Sequence, residues 1–174
     1  GCGSGIWARQ LVDAGYDVTG VDISPAMIDL AHQRVPEGDF QVASCLSWKF
    51  PGCQAVTALG EVLNYLFDKR AGLVAMRRLA KRIHAALPSE GLFLFDVAEP
   101  GRNTGPAQRF FEAEDWTTLV EYRHDDENLR LTRRIVTFRK TGETFRRREE
   151  IHRLQLYRRA EVAALLRSVG FRVR

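Results

Sequence analysis

The residues best equipped for chemistry open the chain. Gly1-Cys2-Gly3-Ser4-Gly5 is a glycine-rich turn leading into an apolar helical pattern, and Asp22 lies 17 residues after Gly5. Glycines let backbone N–H groups approach a ligand closely, and a helix start adds positive potential there. A carboxylate at the end of the next strand suits a ribose diol, because it accepts two hydroxyl hydrogen bonds. Turn and acid together describe a site for a ligand containing a nucleoside. A dinucleotide fingerprint wants a further glycine three positions after the second, near a pyrophosphate. That position is Ile6, and Gly5 comes one residue too early. The ligand expected here lacks a pyrophosphate.

Hydrophobic periodicity predicts the elements that place these groups. Trp7, Ala8, Leu11 and Val12 recur at helical spacing, and Gly15 sits where a helix ends. Residues 17–22 read as a short buried strand. Ser24-Pro25 supplies a cap and first turn for a helix carrying Met27, Ile28, Leu30 and Ala31. Residues 39–43 and 55–59 read as further strands. Asp68 is expected to cap a helix with Leu73, Val74, Met76, Leu79, Ile83 and Leu87 on its apolar side, stopped by Pro88. Residues 91–96 form a strongly apolar strand. Such strands separated by helices predict a Rossmann-like parallel sheet covered by helices on both faces.

The pattern changes after Pro100. Residues 101–109, with Gly101, Asn103, Gly105 and Pro106, read as a loop. Residues 116–123, 129–139 and 144–157 read as three strands of an antiparallel meander, with turns at 125–128 and 141–143. Residues 159–169 return to helix, and 171–173 begin a last strand. The expected organisation is an α/β core over 1–100, an antiparallel β insertion over 101–157 acting as a lid or homodimer face, and a return to the core over 158–174. Residue 1 already lies inside a motif that normally follows a strand, so a first strand and leading helix are expected to be missing here or supplied from elsewhere.

Composition narrows the class. The chain has 174 residues, 45% hydrophobic and 28% charged, which suits one domain with an elaboration. No run approaches the roughly 18 apolar residues of a membrane span, and the opening residues do not read as a secretory leader. Cys2, Cys45 and Cys53 are odd in number and form no C-x-x-C pair. That argues against a disulfide framework or a zinc site and for a cytoplasmic protein without a metal. The net charge of +4 is uneven. Residues 1–99 hold 9 basic and 11 acidic side chains, and residues 100–174 hold 17 and 11. The excess reads either as a solvated arginine-rich sheet or as a patch for an anionic partner.

With these residues in view, the chain resembles the class I S-adenosylmethionine-dependent methyltransferases of the small-molecule type. Gly1-Cys-Gly-Ser-Gly5 matches their first motif, and Asp22 within residues 21–28 matches the acid after their second strand. Residues 60–66 and 91–96 are similar to the segment after their fourth strand and to their fifth strand. The β insertion then follows that fifth strand. The resemblance implies S-adenosyl-L-methionine as cofactor, with the turn backbone of Gly1, Cys2, Gly3 and Gly5 on the methionine portion. It implies Asp22 on the ribose and Ile23 and Met27 on one adenine face. Many members use an acid near the end of their third strand for the adenine amino group. The corresponding stretch here is Ala43-Ser44-Cys45-Leu46, so Ser44 or the backbone would take that part, with Cys45 beside it as a small apolar residue.

Leu59, Gly60 and Glu61 complete the expected cofactor contacts, with Glu61 also favouring a sulfonium charge. Asn64 and Tyr65 are candidates for the methyl acceptor, a small molecule methylated on nitrogen or oxygen. Asp96 and Glu99 either line the pocket or make structural hydrogen bonds. His152 and Tyr157 are assigned to the meander and to substrate contact, with His152 and Tyr65 as catalytic candidates. A hydroxyl acceptor needs a general base and a neutral amine does not; histidine is the residue type whose ordinary pKa lies nearest neutrality, which makes His152 the candidate. A structural role for that histidine stays open. Two other functions remain as alternatives. One is an NAD(P)-dependent oxidoreductase, against which the glycine spacing speaks. The other is an RNA-binding or RNA-modifying protein, against which Phe138, Phe145 and Tyr157 speak, since they are spaced as ordinary sheet residues.

Overall fold

The fold is that of a computed structural model, which describes residues 1–101 and 106–174. Chain order is α1 (Ile6–Asp13), β1 (Thr19–Asp22), α2 (Pro25–Arg34), β2 (Asp39–Val42), β3 (Ala55–Ala58), α3 (Leu73–Ala86) and β4 (Leu92–Phe95). Then follow β5 (Gln108–Ala113), β6 (Trp116–Asp125), β7 (Arg130–Thr141), β8 (Thr144–Gln155) and α4 (Arg159–Arg167). The first seven elements alternate as the sequence predicts. β1 pairs with β2 and β3 with β4, both in parallel, each pair joined by one helix. Ser24 caps α2 by accepting the Met27 N–H at 3.4 Å, and Pro25 opens the helix. On the free edge of β1, the Cys2 N–H donates to the Val21 carbonyl at 2.9 Å. A Cβ on Gly1 would lie 2.6 Å from Val62 Cγ1, so the opening residues sit between β1 and the loop that follows β3.

Several details differ from expectation. Among the described residues the parallel ladders form two separate pairs, and helices cover one face of the β3–β4 pair. Val56, Phe93 and Phe95 pack against the α3–α4 core, whereas Leu92 and Leu94 are 65% and 56% exposed. Asp68 does not cap α3. The helix starts five residues later, behind Gly72 at φ +144°, because the Asp68 carboxylate is engaged by the Arg70 N–H and side chain instead. Residues 171–173 form no ladder. Phe171 uses its side chain, set edge-on to His84 and tilted against Phe93.

Among the described residues the meander has four strands, not three. Of the loop expected over residues 101–109, residues 102–105 lie outside the described residues, while Gln108 and Arg109 belong to β5. This strand is exposed along its whole length, so it has no buried face to leave a pattern in the sequence. The β5-β6-β7-β8 sheet is antiparallel throughout. Residues 64–66 run along the free edge of β8. The Leu66 N–H donates to the Arg153 carbonyl, and the Gln155 N–H donates to the Asn64 carbonyl, both at 2.8 Å.

Asn64 fixes this junction. Its side chain is fully buried. Nδ2 donates to the Ala98 carbonyl at 3.1 Å and to the Gln155 carbonyl at 2.6 Å, while Oδ1 accepts the Ala98 N–H at 2.9 Å. One amide thus joins the segment after β3, the segment after β4 and the end of β8. Removing a buried partner strands the groups it satisfied, which costs more than the bonds themselves. Asn64→Ala is therefore expected to lower stability by about 3 kcal/mol in urea unfolding. A loss below about 0.5 kcal/mol, the level of an ordinary surface substitution, would contradict this role.

Candidate active site

The glycine turn works through conformation. Gly3 and Gly5 have φ of +53° and +76°, a region that L side chains rarely adopt. This geometry aims the Gly3 N–H at Asp22 Oδ2, 2.9 Å away, while the Ser24 N–H binds Oδ1 at 3.0 Å. The carboxylate is thereby held at the end of β1. Each oxygen accepts one of these bonds and keeps a further lone-pair direction. Gly5 has a second reason to be glycine: a Cβ there would lie 3.1 Å from the Ala31 backbone, so it permits α1 to approach α2. Burial pushes the Cys2 thiol above its ordinary range, which makes it a poor nucleophile.

A cleft of about 340 Å³ opens beside this carboxylate. That is within the usual size range of small-molecule sites. Of the residues singled out in the sequence, Gly1, Asp22, Ile23, Met27, Ser44, Cys45, Leu59, Gly60 and Tyr65 line it. Ile23 and Met27 are exposed apolar side chains on the same wall as the carboxylate. Cys2, Gly3, Gly5, Glu61, Asn64, His152 and Tyr157 are not on its wall.

Three expected contacts have other work. Asn64 spends its whole amide on the junction described above, so it positions the cleft loop and is not free for a substrate. Tyr157 lies two residues past β8 and is buried in the α3–α4 core. Its hydroxyl has no hydrogen-bond partner among the described residues, and burial raises its pKa. Glu61 points its carboxylate at Arg133 of β7, with Nη1 to Oε2 at 2.7 Å, and only 16% and 7% of the two side chains are exposed. The backbone of Glu61 is strained, at φ +61°. Asp96 holds it there, accepting the Gly60 N–H at 2.7 Å and the Glu61 N–H at 3.1 Å. Asp96 is thus a structural acceptor. So is Glu99, which accepts the Arg159 N–H at the start of α4 at 2.8 Å.

At the other end of the cleft stands an aromatic group. Tyr65 and Phe67 both line the wall and stack at 5.2 Å between centroids. His152 of β8 packs edge-on to both, at 5.6 and 5.2 Å. Its Nε2 lies 3.2 Å from Glu150 Oε2. Burial raises the Tyr65 hydroxyl above its usual pKa, with Arg133 acting in the opposite direction, so it stays protonated at neutral pH and is no base. His152 thus borders the site through these two rings, and Phe67, 51% exposed in the cleft, is a wall residue that the sequence reading missed. Only the apolar character of residues 66–67 hinted at it.

Asp68 is the other omission. The sequence shows Ser44 where an acid was expected, but the fold brings an acid there from 24 residues away. The Ser44 hydroxyl donates to Asp68 Oδ2, which also accepts from Arg70 Nη2 at 2.6 Å. Oδ1 accepts from the Arg70 N–H and Nε at 3.0 and 2.9 Å. With both oxygens occupied, Asp68 is a clasp that ties the segment before α3 to the floor of the cleft. The Arg70 hydrogen bond, helped by Ser44, holds its carboxyl well below the usual range. Among the described residues no cluster of side chains suits a metal, and no helix is long and apolar enough to cross a membrane.

Comparison with known proteins bears on the fold. Residues 1–83 match a family model described as a methyltransferase domain. The chain is similar to a methyltransferase-family protein of Geobacillus sp. (strain WCH70), with 29% identity over 186 residues that cover 99% of this chain and 72% of the relative. Its fold is similar to the sugar N-methyltransferase KedS8 from Streptoalloteichus sp ATCC 53650, with a TM-score of 0.80 and 20% identity, covering 97% and 68% of the two chains. It is also similar to S-adenosylmethionine-bound CalS10, an amino pentose methyltransferase from Micromonospora echinaspora, with a TM-score of 0.79 and 18% identity over 98% and 72%. The first half of the chain thus resembles a methyltransferase domain, and the fold as a whole is that of solved methyltransferases.

The clasp makes a prediction about acid. A carboxyl held below its ordinary pKa stabilises the fold fully above the unfolded-state value, near 3.9, and that contribution fades as pH falls toward the folded-state value. Asp68→Asn should thus be less stable than the parent at neutral pH, by a modest amount because Arg70 is solvated. Urea unfolding should show the gap narrowing below about pH 4. A gap that stays constant down to strong acid would contradict it.

Proposed function

We propose that this protein transfers the methyl group of S-adenosyl-L-methionine to a nitrogen or oxygen of a small-molecule acceptor held between the cleft and the meander. The observation that carries the reading is Asp22: two backbone N–H groups fix a carboxylate whose remaining lone pairs suit a ribose diol. Ile23 and Met27 continue this wall as an adenine face. The glycine turn offers close backbone approach without the spacing that a pyrophosphate requires. Leu59 and Gly60 carry the cleft on toward Tyr65 and Phe67. When bound, the cofactor supplies an electrophilic methyl group on a positively charged sulfur.

The chain's own contribution is position. Tyr65, Phe67 and His152 form the side where an acceptor would lie, and the Glu61–Arg133 pair keeps the meander against that side. These residues would hold the acceptor with its lone pair in line with the methyl group that the cofactor would supply. Held reactants gain effective molarities on the order of 10⁵ M or more, so alignment and exclusion of water provide most of the acceleration. An amine acceptor releases its proton to solvent afterwards. A hydroxyl acceptor needs a base during the step, and His152, whose Nε2 lies 3.2 Å from Glu150 Oε2, is the candidate for it beside the two rings. Sugar and amino pentose methyltransferases share the fold, which agrees with a small acceptor.

Calorimetry decides the cofactor. S-adenosylmethionine is expected to bind and NAD is not. Asp22→Ala should weaken that binding by roughly tenfold to a hundredfold, the worth of one to two charge-assisted hydrogen bonds. Binding of NAD in place of S-adenosylmethionine would refute the reading.

A further inference from the structure

Cross-strand partners in an antiparallel sheet share a face, and alternate residues along a strand return to it. The rows Tyr122–Arg133–His152, Val120–Ile135–Glu150, Thr118–Thr137–Arg148 and Trp116–Arg139–Arg146 therefore lie on one face of the meander. It is the face that meets the cleft, because His152 packs on Tyr65 and Phe67 and Arg133 pairs with Glu61. Toward its far end this face turns strongly basic. Arg139, Arg146 and Arg148 are all exposed, and none has an ion pair or side-chain hydrogen bond among the described residues. Glu150 is occupied with His152. Glu114, Asp115 and Glu143 in the neighbouring turns pair with none of the three.

The opposite face is built differently. There Arg134 and Arg147 both bind Glu149, and Arg123 binds Glu121. Arg130, Lys140 and Arg153 of the outer face also lack an ion pair among the described residues, and Arg133 of the inner face has one, so what marks the far end of the inner face is three unmatched arginines on adjacent rows. Arg139 also stands directly across from Arg146, a like-charge placement that destabilises a sheet unless an anion lies between. Guanidinium groups bind oxyanions in a two-pronged geometry, and a cluster of them also draws an anionic ligand toward the surface from solution.

We propose that Arg139, Arg146 and Arg148 bind an oxyanion, phosphate or carboxylate, carried by the methyl acceptor at the end remote from the methylated atom. Arg148 and Arg146 lie four and six residues before His152 on β8. At about 3.4 Å per residue, the anion would sit about 13–20 Å from the His152 end of the face. The acceptor is thus an elongated, negatively charged small molecule whose middle crosses Thr118, Thr137 and Ile135. This rests on the reading above that the acceptor lies between cleft and meander.

Inorganic pyrophosphate and citrate, titrated into the full chain at about 0.15 M salt, test the proposal. Saturable binding of at least one is expected, and the stronger of the two tells whether phosphate or carboxylate is preferred. The variant R139Q/R146Q/R148Q should weaken that binding by roughly tenfold or more, while the outer-face variant R134Q/R147Q keeps it within about twofold. All three arginines are exposed, and the single variant R148Q, opposite Thr137 and outside the like-charged pair, should show a smaller loss in the same direction. Absence of saturable binding to the parent protein, or equal loss in the inner-face and outer-face variants, would overturn the proposal. S-adenosylmethionine affinity is measured separately on the same proteins. It is expected to be equal in all of them, so failure of the methyltransferase reading is told apart from failure of the anion site.

Discussion

The buried amide of Asn64 is the constraint on which the rest of the structure depends. It sits in a fully buried position, where an unmatched polar group would be costly, and it has one geometry that satisfies all three of its bonds. That geometry fixes the segment after β3 against the segment after β4 and the end of β8. The cleft wall from Leu59 to Phe67 is therefore registered to the meander before any ligand arrives. The Glu61–Arg133 pair adds a second tie a few residues away, and Asp96 holds the strained turn from which Glu61 reaches it. The two ends of the cleft are thus parts of one preorganised unit.

Two carboxylates at the cleft illustrate how environment assigns roles. Asp22 and Asp68 both line the wall. Asp22 receives one backbone N–H on each oxygen and retains capacity for a ligand. Asp68 is taken up entirely by Arg70 and Ser44 and acts as a fastening. The same residue type reads as recognition in one place and as architecture in the other, and only the count of bonds already made separates them. The arginines of the meander show a similar contrast: Arg134 and Arg147 share Glu149, whereas Arg139, Arg146 and Arg148 have no carboxylate partner among the described residues.

Local chemistry made much of this legible in the sequence. The alternation of helix and apolar strand over residues 6–96 marked the class of fold, and the turn with Asp22 marked one wall of the cleft, where Gly1 and Asp22 lie, because both depend on short-range spacing. What stayed hidden depends on contacts distant in the chain. Asp68 looks like a helix cap, since nothing local says that Arg70 will fold back on it or that Ser44 will come to lie beside it. Asn64 looks like a free pocket residue until Ala98 and Gln155 arrive around it. Tyr157 follows a predicted strand, yet it turns into the α3–α4 core. β5 escaped notice because an exposed edge strand has no buried face to leave an alternating pattern.

The central claim is that Asp22 and the glycine turn define the ribose end of a cleft whose other end, at Tyr65, Phe67 and His152, receives the acceptor. A crystal structure of the chain with bound S-adenosylmethionine tests it most directly. The account predicts ribose hydroxyls within hydrogen-bond distance of both Asp22 oxygens and the sulfonium methyl directed toward Tyr65 and Phe67. A cofactor bound away from Asp22, or with its methyl turned from those two rings, would contradict it.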